Sequence, residues 1–396
     1  MSAIELALGA AALVLLVPIL TLALEVIASI PRRPWAEPTA GRPSLAVVVP
    51  AHDEAALIGA TVRAILAQLL PNDRLIVVAD NCSDETAAVA SAAGARVIVR
   101  NDSTRRGKGY ALDFGVRHLT ADPPDVVLIV DADCRVGEGC VDRLARTCIA
   151  TGRPVQALYL MHAPAGAGLT GRIAEFAWTL KNLIRPAGLR RLGLPCQLMG
   201  TGMAFPWRCI ARADLASGHI VEDLKLGLEL ARDGSPALFC PEALVTSDFP
   251  ASAEGFKSQR MRWEHGYLGV LLRDAPAMIA QSLAKRSLPQ LALGLDLCVP
   301  PIALLVLLTS AVWLAAGLIY AWAGSVTPLL LASAELALLG CCVLIAWGRY
   351  GRNIISGASL AFAPLYALAK IPLYLRFLVA RQIDWVRSKR DHERST

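Results

Sequence analysis

The chain has 396 residues, of which 55% are hydrophobic and only 18% charged, and its formal net charge is +6. That length holds two or three domains, and the apolar share stands above the ~45–50% usual in soluble ones, which excludes a disordered or fibrous chain and argues against a wholly soluble one. The positive balance rests on 32 Arg against 7 Lys, a skew that follows base composition more readily than phosphate recognition, so no nucleic-acid partner is read from it.

Between Glu5 and Glu25 lie 19 uncharged residues, close to the ~20 that carry a helix across a bilayer, so residues 1–30 are expected to form a transmembrane helix. No Lys or Arg precedes the run, unlike a secretory signal, whereas Arg32 and Arg33 come directly after it. The positive-inside bias then sets the N-terminus outside and residue 31 onward in the cytoplasm, at a cytoplasmic (inner) membrane. Residues 31–43 read as a linker.

Residues 44–275 form a polar block with its own rhythm. Short apolar strands at Leu45–Val49, Arg74–Ala79, Arg96–Val99 and Val126–Val130 alternate with helical patterns at Ala55–Leu69, Asp84–Ala92, Gly109–Leu119 and Gly139–Ala150. This order predicts an α/β fold with a mostly parallel sheet covered on both faces. The ten Cys show no CxxC pair or zinc-ligand spacing and sit in apolar or helical patterns, as reduced buried thiols do.

Ligands of such sheets bind beyond the carboxyl ends of the strands. There the chain carries His52, Asp53 and Glu54, then Asp80, Asn81 and Asp84, then Asp131 and Asp133. Carboxylates packed that closely repel, and hard oxygen donors select Mg²⁺ or Mn²⁺, so Asp131 and Asp133 are candidate ligands of a divalent ion that also holds a diphosphate. Alone, an acidic pair is a common turn feature; its position after VVLIV sets it apart. Lys108, in RRGKGYAL at a helix start, is placed to meet an anion, or else is part of a solvated basic loop. His52, His219 and His265 lack metal spacing and read as local hydrogen-bonding residues.

Farther on, Leu169–Arg191 has apolar residues recurring every three or four positions among Arg and Lys, a basic amphipathic helix suited to an anionic leaflet or to packing on the block. GTGMAF puts small residues Gly200, Thr201 and Gly202 before an apolar strand, where backbone approaches a substrate closely. Glu222 and Asp223 open a helix, either as residues favoured by its dipole or as a proton acceptor; neighbours point about 100° apart, so at most one is expected to face the site.

Residues 276–380 are expected to form a transmembrane hairpin, with limbs at about Leu291–Trp322 and Val326–Trp347, then an apolar segment, Ile354–Ala380. That segment carries Lys370 and Arg376 and precedes the basic tail 381–396, so it reads as interfacial or re-entrant. Glu335, mid-limb, is an expensive place for a carboxylate and therefore a functional candidate.

VVVPAHDE, VVADNCSDET, RGKGYAL, VDAD, VEDLKLG and QRMRW, in this order, resemble the inverting glycosyltransferases of family 2, with a GT-A nucleotide-sugar-binding fold, over about Ser44 to Gly266. QxxRW is similar to that of membrane-embedded processive polysaccharide synthases and of ceramide glucosyltransferase. The resemblance implies that Ala51, Glu54, Asp80, Lys108 and Asp131 meet the donor, that Asp131 and Asp133 hold the metal, and that Asp223 is the general base. It also implies that Gln259, Arg262 and Trp263 close over the diphosphate and meet the acceptor, with Gly200, Thr201 and Gly202 on the acceptor side. Asp53 stands where the family often has Asn, and Asn81 where a second Asp is common.

Displacing a nucleoside diphosphate from an anomeric carbon builds negative charge that a divalent ion and a cation such as Arg262 stabilise, while a carboxylate takes the acceptor's proton. Single-step attack inverts the centre, giving a β-linkage from an α-linked, uridine-type donor. The expected acceptor is a growing polysaccharide. Two alternatives stand beside it: transfer of one sugar to a lipid, and a non-catalytic nucleotide-sugar-binding scaffold among the subunits of a secretion complex.

Overall fold

The structure, a computed structural model, describes residues 3–30 and 39–379. These fall into two compact units: an α/β unit of residues 39–162 and 194–258, and a helical unit of residues 3–30, 163–193 and 259–379.

The α/β unit is built on one eight-stranded sheet. Its strands are β1 (Leu45–Ala51), β2 (Arg74–Asp80), β3 (Arg96–Arg100), β4 (Val126–Ile129), β5 (Arg135–Val136), β6 (Val155–His162), β7 (Met203–Pro206) and β8 (Leu238–Asp248), in the order β3-β2-β1-β4-β7-β6-β8-β5. β1, β2 and β4 are continuous apolar runs because both faces of a helix-covered parallel sheet are buried; Val47, Val48, Val49, Val77 and Ile129 have no exposed surface. β3, β2, β1 and β4 pair in parallel, as the βα rhythm predicts. Beyond β4 the sheet is mixed: β7 runs antiparallel to β4 and β6, β6 and β8 pair in parallel, and β5 runs antiparallel to β8.

This topology positions the chemistry. β1, β2 and β4 end on one rim, and antiparallel β7 begins there, Met203 lying opposite Ile129. The approach to β7, Gly200–Gly202, therefore runs beside the residues just after β4.

In the helical unit, Ala3–Ser29, Ile302–Ala323, the run Thr327–Gly351 and the run Gly357–Val379 are each long and apolar enough to cross a membrane. The hairpin limbs differ from expectation at one end. The first limb is divided into Leu288–Cys298 and Ile302–Ala323, because Val299 precedes the Pro300–Pro301 pair and takes an extended conformation there (ψ 103°). The last run is likewise divided, into Gly357–Leu360, Ala363–Leu368 and Ile371–Val379. The basic tail and most of the expected linker lie outside the described residues.

Helix Leu169–Thr179 continues through a π turn, Leu180–Ile184, into Arg185–Arg191. Its apolar face, Ile173, Phe176, Leu180 and Ile184, shares a core with Ile19, Leu22 and Val26 of the first helix and with Leu305, Leu339 and Cys342. A buried ion network crosses the same core. Arg185 donates from Nε to Glu25 (2.8 Å) and from Nη2 to both the carbonyl (2.6 Å) and the carboxylate of Asp296. Glu335 is also buried, and neither of its carboxylate oxygens has a hydrogen-bond partner.

Candidate active site

Helix Lys108–His118 starts after Gly107, and its first side chain reaches back to the sheet rim. Lys108 Nζ stands 2.5 Å from Asp131 Oδ1, donates to the Gly200 carbonyl at 2.7 Å and lies 4.0 Å from Glu222 Oε1. The Asp131 backbone N–H donates to Thr201 Oγ1 (3.0 Å), and the Thr61 hydroxyl reaches the carbonyls of Ala132 (2.8 Å) and Cys134 (3.0 Å). The Asp131–Asp133 turn is thus pinned from both sides of the sheet end.

Gly200 has φ +92°, a conformation that strains L side chains, and a Cβ there would stand 3.3 Å from Asp223 Oδ2 and 3.7 Å from Lys108 Nζ. Glycine lets the backbone pass between the base candidate and the lysine. Gln156, fully buried in β6, donates to the Thr201 carbonyl (2.9 Å) and accepts from the Met199 N–H (2.8 Å), ordering this approach.

The electrostatics reflect the charge count. Asp131, Glu222 and Asp223 act on one ammonium, and Asp133 acts on Asp131. Burial works against the charge of Lys108, yet Asp131 and Glu222 outweigh it and raise its pKa. Burial, with Asp133 and Asp223 adding to it, raises the Asp131 carboxyl despite Lys108. Glu222 is pushed up to about 7 by burial and by Asp223 and Asp131, against the pull of Lys108. Such a surplus of carboxylate oxygens is of the kind a hard divalent cation offsets.

Asp53, Cys82 and Asp84 also approach within 4.8 Å of one another. Asp53 Oδ1 already accepts from the N–H groups of Ser83 (2.6 Å) and Asp84 (3.2 Å), while Asp84 accepts from Ala55 N–H (3.1 Å) and from Thr86. Burial raises the Cys82 thiol and keeps it protonated. The trio therefore orders the loop rather than offering a free donor set.

The other predicted donor residues share the same rim. Ala51 is buried at the end of β1, and the Glu54 N–H donates to Thr86 Oγ1 (2.7 Å). The Asp80 carboxylate is held by Arg100 (2.6 Å) and by Asn81 Nδ2 (3.0 Å), and His52 Nδ1 lies 2.7 Å from the Asp80 carbonyl. His219 pairs with Lys225 at 2.6 Å. Gln259, Arg262 and Trp263 belong to the helical unit, on helix Ala253–Lys285.

Two features went unread in the sequence. Both Glu222 and Asp223 act on Lys108, contrary to the expectation that only one would face the site, because the long lysine side chain meets the open first turn of helix Glu222–Arg232 from its end. Arg100 and Gln156 were also missed; the one available signal was Gln156 itself, a polar residue inside an apolar strand.

Residues 43–266, more than half the chain, match the model of the family described as glycosyltransferase-like family 2. The chain belongs to that family. The chain is 26% identical over 265 residues to a probable glycosyltransferase of Bacillus subtilis, YdaM, covering 60% of this chain and 59% of that protein. It is 41% identical over 201 residues to the glucosyl-3-phosphoglycerate synthase of Mycolicibacterium paratuberculosis, covering 46% of this chain and 58% of that one. The chain thus spans under two thirds of these relatives' length. Among solved structures, a Pyrobaculum calidifontis mannosyltransferase in complex with GDP-mannose and Mn²⁺ shares the fold over 96% of this chain and 99% of its own, with a TM-score of 0.56 at 17% identity. The fold is accordingly a GT-A-like mixed α/β sheet with apolar helices.

Proposed function

We propose that the protein is a membrane-bound inverting glycosyltransferase that moves a sugar from a nucleotide-sugar donor to an acceptor held at the cytoplasmic face of the membrane. The observation that carries this reading is the convergence of Asp131, Lys108, Gly200 and Asp223 on one rim of the sheet. Asp131 and Asp133 would hold Mg²⁺ or Mn²⁺, which when bound offsets the charge developing on the leaving diphosphate.

The chain's own residues do the rest. Asp223 accepts the proton of the acceptor hydroxyl as its oxygen bonds to the anomeric carbon. The bond from that carbon to the phosphate oxygen breaks, and the nucleoside diphosphate departs with the bonding pair. Lys108 fixes Asp131 and the Gly200 carbonyl so that the carboxylates keep their places. Ala51, Glu54 and Asp80 line the donor side and Gly200–Gly202 the acceptor side. The family motif implies a part in transfer for Gln259, Arg262 and Trp263 as well.

The Leu373 carbonyl of the segment Gly357–Val379 lies 3.0 Å from His265 Nε2, so this segment packs on the helix that carries QRMRW. QRMRW favours a polymerising enzyme with β-linkages. Among the described residues four helices are long and apolar enough to cross a membrane, few for a polymer channel, which favours the second reading, one sugar added to a lipid. Incubating the purified enzyme with labelled donor and membrane acceptor separates them: a ladder of lengthening products supports the synthase, and one sugar per lipid supports the lipid reading. No transfer from any nucleotide sugar in the presence of Mn²⁺ would leave the scaffold alternative.

A further inference from the structure

The helical segment Gln259–His265, within helix Ala253–Lys285, is gripped from two sides within the helical unit. On one side the ring of Trp263 lies 5.0 Å from that of Trp178, tilted by 38°. Lys181, on the π turn, stands over Trp178 (5.6 Å) and over Tyr267 (5.4 Å), and the Tyr267 hydroxyl meets the carbonyls of Leu297 (3.1 Å) and Val299 (2.9 Å). On the other side stands Lys370, 9% exposed, whose ammonium is paired with the Glu264 carboxylate. That carboxylate also receives Arg260 at 3.4 Å, and the Arg260 guanidinium lies 5.1 Å over the ring of Tyr366. Lys370 is within 5.6 Å of the rings of Tyr366 and Tyr374, and His265 lies edge-on to Phe377 at 5.4 Å.

A buried ammonium in an apolar run is costly unless paired, and the pairing here reaches across 106 residues to the position directly after Trp263. Aromatic faces complete the surroundings of the ammonium, and the Glu264 carboxylate is held by both Lys370 and Arg260, which fixes the helical segment that carries it. We propose that Lys370 is a positioning residue for glycosyl transfer, which through Glu264 holds the helical segment Gln259–Trp263 in its working orientation. This rests on the reading of Gln259, Arg262 and Trp263 as part of the transfer machinery.

The test uses the full chain in detergent, with kcat, KM for donor and acceptor, and melting temperature measured for Lys370→Met, Lys370→Arg, Glu264→Gln, the double variant Glu264→Gln/Lys370→Met, and Arg262→Ala. A positioning role predicts that Lys370→Met lowers kcat by about ten-fold or more in the enzyme that remains folded, because small misplacements of a reacting group are expensive. Lys370→Arg recovers most of that loss, and the double variant is less impaired than either single one. Lys370→Met with kcat and KM near wild type, beside an inactive Arg262→Ala, would overturn the positioning role while leaving the motif reading intact. An Arg262→Ala variant with full activity would instead remove the reading beneath it. Should Lys370→Met and the double variant both fail to fold, Glu264→Gln decides: normal kcat in it makes the lysine purely structural and overturns the proposal, and a lowered kcat at unchanged melting temperature upholds it.

Discussion

Lys108 Nζ stands 2.5 Å from Asp131 Oδ1 while donating to the Gly200 carbonyl at 2.7 Å, so a single ammonium ties the start of one helix to the end of β4 and the approach to β7. It also leaves the rim short of positive charge, since Asp133, Glu222 and Asp223 act on the same group of atoms. That imbalance, and the packing that maintains it, have measurable consequences.

Removing a metal-ligand candidate should uncouple donor binding from the divalent ion. Asp131→Asn and Asp133→Asn are each expected to weaken Mn²⁺-dependent nucleotide binding by at least about ten-fold, read by titration calorimetry with and without chelator. Affinity equal to wild type in Mn²⁺ would show that the ion is held elsewhere.

Glu222 gives the chelator-treated protein a pH dependence of known sign. With its folded pKa raised to about 7 from an ordinary 4.5, the folded state binds more protons than the unfolded one between those values, so stability is greatest at low pH and falls as pH rises through that window. Glu222→Gln should therefore melt about 2–4 °C above wild type at pH 8, the shift that ~1 kcal/mol produces in a domain of this size, and equal to it near pH 4. A variant that melts lower than wild type at pH 8 would reverse the assignment.

Much of this was legible in the sequence, and the gaps have physical causes. β1, β2 and β4 matched their predicted runs because strands buried on both faces are continuously apolar, and the half-exposed edge strand β3 was still marked by its short RVIV run. β7 was readable as the apolar strand after Gly200–Gly202, but its antiparallel direction was not, and β6 interrupts its apolar run with Gln156, so the mixed character of this half of the sheet left no trace. The strand-end acids were readable from position alone. The lysine between them was readable as a basic residue near a helix start, but its partners were not, because ion pairs join residues far apart in the chain. The same holds for Glu25, Arg185 and Asp296, which no local pattern connects.

That network makes a stability prediction for the helical unit. Arg185 holds two buried carboxylates, and Arg185→Met strands both, at a cost of about 3–5 kcal/mol. Thermal unfolding in detergent should show the loss, and the triple variant Glu25→Gln/Arg185→Met/Asp296→Asn should recover most of it. A single variant as stable as wild type would mean the network is not fastening these helices.

Gly200→Ala tests the close approach at the rim. Its positive φ and the 3.3 Å distance to Asp223 predict a stability loss of about 1 kcal/mol and a larger loss of turnover, because the added methyl group crowds the carboxylate rather than the core. Melting temperature and kcat measured on the same preparation check it, and an unchanged kcat would show that Asp223 tolerates the displacement.

The most direct test of the account is Asp223→Asn, an exchange that keeps the shape of the side chain and removes its ability to take a proton. Nucleotide-sugar binding in Mn²⁺ should stay within about three-fold of wild type while kcat for transfer falls by about 10²–10⁴. Transfer at the wild-type rate with normal donor binding would contradict the account.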